Sequence, residues 1–331
     1  MKRLRLAAAA LPLALAGGAD AAEKLTVYTY DSFVTEWGPG AAIEKNFEAV
    51  CGCDLELVAA GDGAALLGRV KLEGAATEAD VVLGLDTNLM AEAAASGLFA
   101  PHGVTANWDV PGGWSDPLFV PYDWGWFAFV YDKTRLAAAP TSFEALLAAP
   151  DDVTIVIQDP RSSSPGLGLL LWVKEVYGDK AADIWAKLKP RIVTVTAGWY
   201  EAYGMFLEGE AMMALSYTTS PAYHAIAEGD DAKAAAIFSE GHYMQVEVAG
   251  KLAGTDAPEL ADKFMAFIAE SGFQSVIPET NWMYPAKTPE AGLPEGFRAL
   301  PIPAKSLIYP PEEAAAKREA ALAEWLEVMS R

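Results

Sequence analysis

Two runs of hydroxyl residues, each ending in proline, carry the clearest chemistry in this chain: Ser162-Ser163-Ser164-Pro165 and Thr218-Thr219-Ser220-Pro221. A Ser or Thr ahead of a proline at the first helical position is ordinary N-capping, worth about 1 kcal/mol. That explains one hydroxyl per turn and leaves the rest of each run unexplained. Hydroxyls beside the free N–H groups of a helix N-terminus make an anion site, so these turns suit a phosphate-like oxyanion. Asp62 precedes Gly63 and an apolar stretch, where an N-cap Asp belongs; the sharper reading is a cleft carboxylate that accepts from a ligand amine. Tyr30, Trp37, Trp199, Tyr217, Tyr223 and Trp282 fall near the ends of extended segments. Singly, such aromatics are more often core or rim. Collected, they would stack on a flat ring, and an aromatic face adds about 0.5–2 kcal/mol if that ring is cationic.

Catalytic spacing is poor by comparison. The chain contains no G-x-S-x-G elbow and neither H-E-x-x-H nor the phosphate-loop string. Its histidines are His102, His224 and His242, too few for a zinc site of about four ligands, so neither a metal nor a cofactor is expected. His224 follows Tyr223 on a predicted helix and reads as packed or exposed, not as a base. Cys51-Gly52-Cys53 holds both cysteines. A local disulfide, eased by the intervening glycine, is the expectation, with free thiols as the alternative. Carboxylates are plentiful enough for some pair to do acid–base work, but no spacing selects one, and an enzyme is not expected.

Charge and the N-terminus set the address. Asp and Glu outnumber Lys and Arg 45 to 24, a net charge of −21. Such a surface repels nucleic acid and anionic lipid and mildly favours cationic solutes, and it also serves solubility. Met1-Lys2-Arg3-Leu4-Arg5, the Ala/Leu run at 6–16 and the small residues that follow have the form of a secretory signal peptide, residues 1–21. The run is shorter than the ~20 residues a membrane-spanning helix needs. An exported, soluble protein without membrane insertion is expected.

The elements that must hold these residues alternate. Extended patterns at 23–30, 54–58 and 79–84 are separated by helical patterns at 41–50, with Ile43, Phe47 and Val50 on one face, and at 63–70. After an aromatic stretch at 118–131 the rhythm restarts: strand 153–157, helices 167–177 and 181–188, strands 193–195 and 211–217, an extended segment at 242–248, and helices 259–270 and 311–329. This is an α/β protein with largely parallel sheet, and 331 residues fit about two domains. Ligand sites in such sheets lie beyond the carboxyl ends of the strands, where the hydroxyl turns and aromatics fall.

Several strings resemble the periplasmic thiamine-binding proteins of bacteria: residues 25–33 with Trp37-Gly38-Pro39-Gly40, 79–86, Gln158-Asp159-Pro160-Arg161, 165–168, 215–224 and Asn281-Trp282-Met283-Tyr284-Pro285. The resemblance covers nearly all of the chain after the signal peptide and includes a counterpart of Cys51-x-Cys53. It implies a periplasmic binding protein fold, type II-like: two α/β lobes with a hinge of crossing strands and a ligand cleft between them. Residues 22–121 with 249–300 are expected to form lobe 1, 122–248 lobe 2, and 301–331 a C-terminal helical segment. The implied ligand is thiamine or its mono- or diphosphate, delivered by a monomer to the membrane permease of an ATP-driven (ABC) importer. Matched residue by residue, the family's contacts fall on Asp62, Gly63, Ser163, Ser164, Trp199, Tyr217, Thr218, Thr219 and Ser220, with Tyr30, Trp37, Tyr223 and Trp282 near the cleft. The middle of the serine turn departs from the family's Thr-Ser-Thr and keeps the hydroxyls. The rivals on the same fold are a polyamine binder, needing several cleft carboxylates, a ferric-ion binder, needing neighbouring tyrosines that this chain lacks, and a thiaminase-like transferase, needing a nucleophilic cysteine.

Overall fold

The computed structural model describes residues 22–330; the expected signal peptide lies outside the described residues. The chain enters as β1 (Lys24–Thr29), in which every residue after Lys24 is buried. Helix α1 (Gly40–Cys51) turns Ile43 and Phe47 to the core. Its i, i+4 stripe continues to Cys51, which packs against the same core, and not to Val50, which is 71% exposed. Gly52 ends the helix at φ 67°, a left-handed cap that glycine adopts without steric penalty, with its N–H on the Glu48 carbonyl. Across this turn Cys51 and Cys53 are joined in a disulfide.

Strand β2 (Asp54–Ala59), helix α2 (Gly63–Glu73), strand β3 (Val81–Asp86) and helix α3 (Met90–Ala95) complete the first half. Strand β4 (Phe119–Asp132) crosses to the second half, built from α4 (Phe143–Ala148), β5 (Ile155–Gln158), α5 (Ser164–Tyr177), α6 (Ala181–Leu188), β6 (Ile192–Thr196), α7 (Trp199–Leu207) and β7 (Met213–Tyr217). Strand β8 (His242–Leu252) returns, and α8 (Pro258–Phe267) and α9 (Pro311–Ser330) follow. Helix α7 was not expected: its start, Gly198-Trp199-Tyr200, reads in the sequence only as an aromatic cluster after a strand.

The main sheet path runs β2-β1-β3-β8-β4-β7-β5-β6. β2, β1 and β3 are parallel, as are β7, β5 and β6; antiparallel β8 and β4 join the two sets. β4 pairs with β8 from Phe119 to Trp126 and with β7 from Phe127 to Tyr131, so a single strand belongs to both halves. Its register against β8 slips beside Glu247: Glu247 faces Asp123, but Val248 faces Pro121 and leaves Tyr122 as an extra residue. Pro121 has no N–H for a ladder, and a bulge is where a strand interior tolerates that.

Helix α5 is buried without interruption from Ser164 to Val173. It approaches β4 closely at Gly168, where a Cβ would overlap the Phe127 ring. Helix α9 touches both halves: Lys174 on α5 pairs with Glu324 at 2.8 Å, and Arg318 pairs with Glu92 on α3.

Candidate functional site

Between the halves, at the carboxyl ends of their strands, lies a cavity of about 520 Å³, within the 300–1,000 Å³ usual for small-molecule sites. Tyr30, Trp37, Asp62, Trp199, Tyr217, Ser220, Tyr223 and Trp282 line it. Trp199 opens α7 directly after β6. Its ring stacks on Tyr203 one turn along, at 4.9 Å and 21°, and its Nε1 donates to Ser216 Oγ at 2.7 Å. Trp37, from the first half, stacks on Tyr200 at 5.9 Å and meets Trp199 edge-on at 6.3 Å. Opposite, Trp282 meets Tyr223 edge-on at 5.3 Å. Trp282 has φ 57°, the sole positive φ outside glycine among the described residues, a costly pose for a bulky side chain at the cavity wall.

The halves touch along one edge of this cavity. Asp62 caps α2 by accepting from the Gly63 N–H at 2.8 Å; its other oxygen accepts from Ser163 Oγ at 2.6 Å and from the Trp199 N–H at 3.2 Å. The cap and the contact across the cleft are therefore the same carboxylate. Burial raises the Asp62 pKa, opposed by hydrogen bonds from Ser163, Gly63 and Trp199. The approach at Gly63 is close: a Cβ there would overlap Ser164 Oγ on the opposing half, so that hydroxyl would have to turn away.

The hydroxyl runs divide. Ser220 reaches the cavity, while Ser163, Ser164, Thr218 and Thr219 are buried behind it. Ser163 stands at the N-cap of α5 yet gives its hydroxyl to Asp62 instead of its own helix. Ser220 Oγ accepts from the Tyr217 N–H at 3.2 Å and shares a hydrogen bond of 2.7 Å with Ser216. Thr219 donates to Met283 Sδ at 3.6 Å, and Thr218 Oγ1 is a buried hydroxyl without a partner.

Beyond these residues the cavity is lined by Ser32, Tyr200, Tyr203, Asn281, Met283 and a set of acids that spacing did not single out. Asp62, Glu201, Glu208 and Glu247 line it, and no lysine, arginine or histidine does. Glu247 is the most enclosed of the newly found acids. Tyr122 and Tyr30 donate to its Oε2 at 2.8 and 3.1 Å, and Gln245 donates to Oε1 at 3.1 Å and to the Tyr217 hydroxyl at 2.8 Å. Asn281 Nδ2 bridges Tyr30 and Asp123, at 2.8 and 2.6 Å. Burial pushes Glu247 up to about 7 against the hydrogen bonds from Tyr122, Asp123 and Tyr30. His224 is fully engaged, with Tyr203 at 2.9 Å on one ring nitrogen and Glu228 at 2.6 Å on the other. An acid-bearing, aromatic-walled cavity without a cationic side chain among its lining residues has the chemistry to suit a flat organic cation.

The sequence profile of the bacterial extracellular solute-binding protein family matches residues 76–305. The chain is 53% identical over 320 residues to a thiamine-binding periplasmic protein of Brucella abortus, covering 96% of each chain. Its identity to a thiamine-binding periplasmic protein of Escherichia coli is 54% over 308 residues, covering 93% of this chain and 94% of that one. A solved structure described as a periplasmic thiamin binding protein superposes with a TM-score of 0.90 at 53% identity, covering 93% of this chain and 96% of that chain.

Proposed function

This chain belongs to the bacterial extracellular solute-binding proteins, with the periplasmic binding protein fold, and from that premise we propose that it captures thiamine and its phosphate esters and presents them to a membrane importer. The observation that carries the reading is the cavity itself, with aromatic walls from both halves, four carboxylates and no basic side chain. Thiamine brings a permanently cationic thiazolium and a flat aminopyrimidine. The relatives at 53–54% identity carry that vitamin in their names. Esters would extend toward the hydroxyl turns, of which Ser220 lines the cavity.

In this reading 22–121 with 249–300 moves as one lobe against 122–248, about β4 and β8, and 301–331 is a C-terminal helical segment whose α9 pairs with both halves. Ligand stabilises the closed arrangement because it touches both lobes at once. The protein is exported by residues 1–21, works in the periplasm as a monomer and is read by the permease when closed. No helix among the described residues is long and apolar enough to cross a membrane. It acts as a carrier, not a catalyst: a thiaminase-like reaction needs a thiol at the ligand, and both cysteines are spent on each other at the end of α1.

Calorimetric titration with thiamine, its monophosphate and diphosphate, spermidine and ferric citrate tests this. The expected result is one site for the thiamine compounds with Kd below about 1 µM, or more than about 8 kcal/mol. Heat from spermidine or ferric citrate alone would overturn it.

A further inference from the structure

Three acids lie in register across three adjacent strands. Glu247 on β8 faces Asp86 on β3 to one side and Asp123 on β4 to the other, and all three are at least nine-tenths buried. Neighbours in register present their side chains to the same face, and like charges there repel. The bulge in β4 begins at this step, and the extra residue it leaves, Tyr122, donates to Glu247.

The surrounding groups bring no compensating cation. Tyr30 and Tyr122 face Glu247, Tyr217 reaches it through Gln245, and Asp62 lies farther along the cavity. Asp86 feels Arg318 of α9, which is already paired with Glu92. Asp123 Oδ2 accepts from Asn281, but its Oδ1 is buried without any donor. Asp123 and Glu247 are nevertheless hydrogen-bonded to each other, and because two carboxylates can only accept, that bond needs a proton on one of them. Burial and the Glu247 charge hold Asp123 well above the usual carboxylate range.

We infer that Asp123 and Glu247 share one proton while the cavity is empty, and that a permanently cationic ligand expels this proton to bulk water when it enters. Glu247 forms the cavity wall and meets the ligand's charge; Asp123, one strand behind, is a positioning residue that carries or releases the proton. The incoming positive charge replaces the proton as the neutralising partner, so capture is linked to proton release and tightens as the pH rises. The cavity thereby selects a fixed charge over a neutral ring of the same shape. This inference rests on the thiamine reading above.

The test is thiamine titration by calorimetry near pH 7 in buffers of different ionisation enthalpy, using the full mature protein. The dependence of the observed heat on buffer gives the protons exchanged. Release on the order of half to one proton per thiamine is expected, with affinity rising by up to about tenfold per pH unit below neutrality. Thiamine's aminopyrimidine is neutral at that pH, and its protonation on binding would register with the opposite sign. Asp123→Asn, which mimics the neutral acid and can still accept from Asn281, and Glu247→Gln should each abolish the release; Glu247→Gln should also weaken thiamine on the order of tenfold or more. Thermal melts identify a variant that fails to fold, in which case the other decides. Tight thiamine binding with no buffer-dependent heat, or unchanged release in both variants, overturns the proton linkage and leaves the proposed ligand standing. Absence of thiamine binding by the parent protein removes both.

Discussion

Asp62 shows how one side chain serves local structure and function together. It caps α2 and, with its second oxygen, meets Ser163 and the Trp199 N–H across the cleft. The buried acids set the pH behaviour. Asp86 is pushed up to about 6 and Glu247 to about 7 by burial. A carboxyl whose folded pKa lies above its unfolded value contributes stability at low pH, which is lost as pH rises through the folded value. His242, held below its ordinary 6.5 by burial, works in the opposite sense, but only up to that pH. The ligand-free protein should therefore lose thermal stability as pH rises from about 5 to about 7, the several raised acids outweighing the single histidine, and thiamine should reduce the loss. Melting curves with and without thiamine check this; a flat or rising ligand-free profile over that window would contradict it.

At the scale of elements, two glycines in close approaches separate closure from folding. Gly63, at the start of α2, meets the N-terminus of α5 across the cleft, while Gly168 in the middle of α5 lies on the Phe127 ring inside the second half. Gly63→Ala should hold the halves apart, weakening thiamine binding on the order of tenfold with little change in melting temperature. Gly168→Ala overpacks the core and should cost about 1–3 kcal/mol of stability. Denaturation and titration of both variants test the contrast, and equal effects on both readouts would defeat it. The alternation of helices and strands was legible because each strand is a short β-branched or apolar run flanked by turn residues. Helix α7 was not, because Gly198-Trp199-Tyr200-Glu201 carries no capping signal and its aromatics belong to the cavity as much as to a core. Val50 was misplaced for a simpler reason: i+3 and i+4 both fit the pattern, and the helix uses Cys51.

The whole molecule brings together what the sequence keeps apart. Trp37, Trp199, Tyr217 and Trp282 were recognisable as candidates, and they line one cavity. The row formed by Asp86, Glu247 and Asp123 was not legible, because the register of β3, β8 and β4 unites residues 86, 247 and 123, and nothing local distinguishes these acids among 45. The hydroxyl runs were legible as chemistry but not as placement, since four of the six residues in their cores, Ser163, Ser164, Thr218 and Thr219, are buried behind the wall. The net charge of −21 adds a long-range pull on a cation, and the cavity supplies the short-range selection. The most direct measurement is a comparison of thiamine with a neutral isostere whose thiazole lacks the quaternary nitrogen, followed by quenching of tryptophan fluorescence. Thiamine should bind tighter by on the order of tenfold or more, reflecting the aromatic faces and the acids that meet its charge. Equal affinity for the neutral ring would contradict the account.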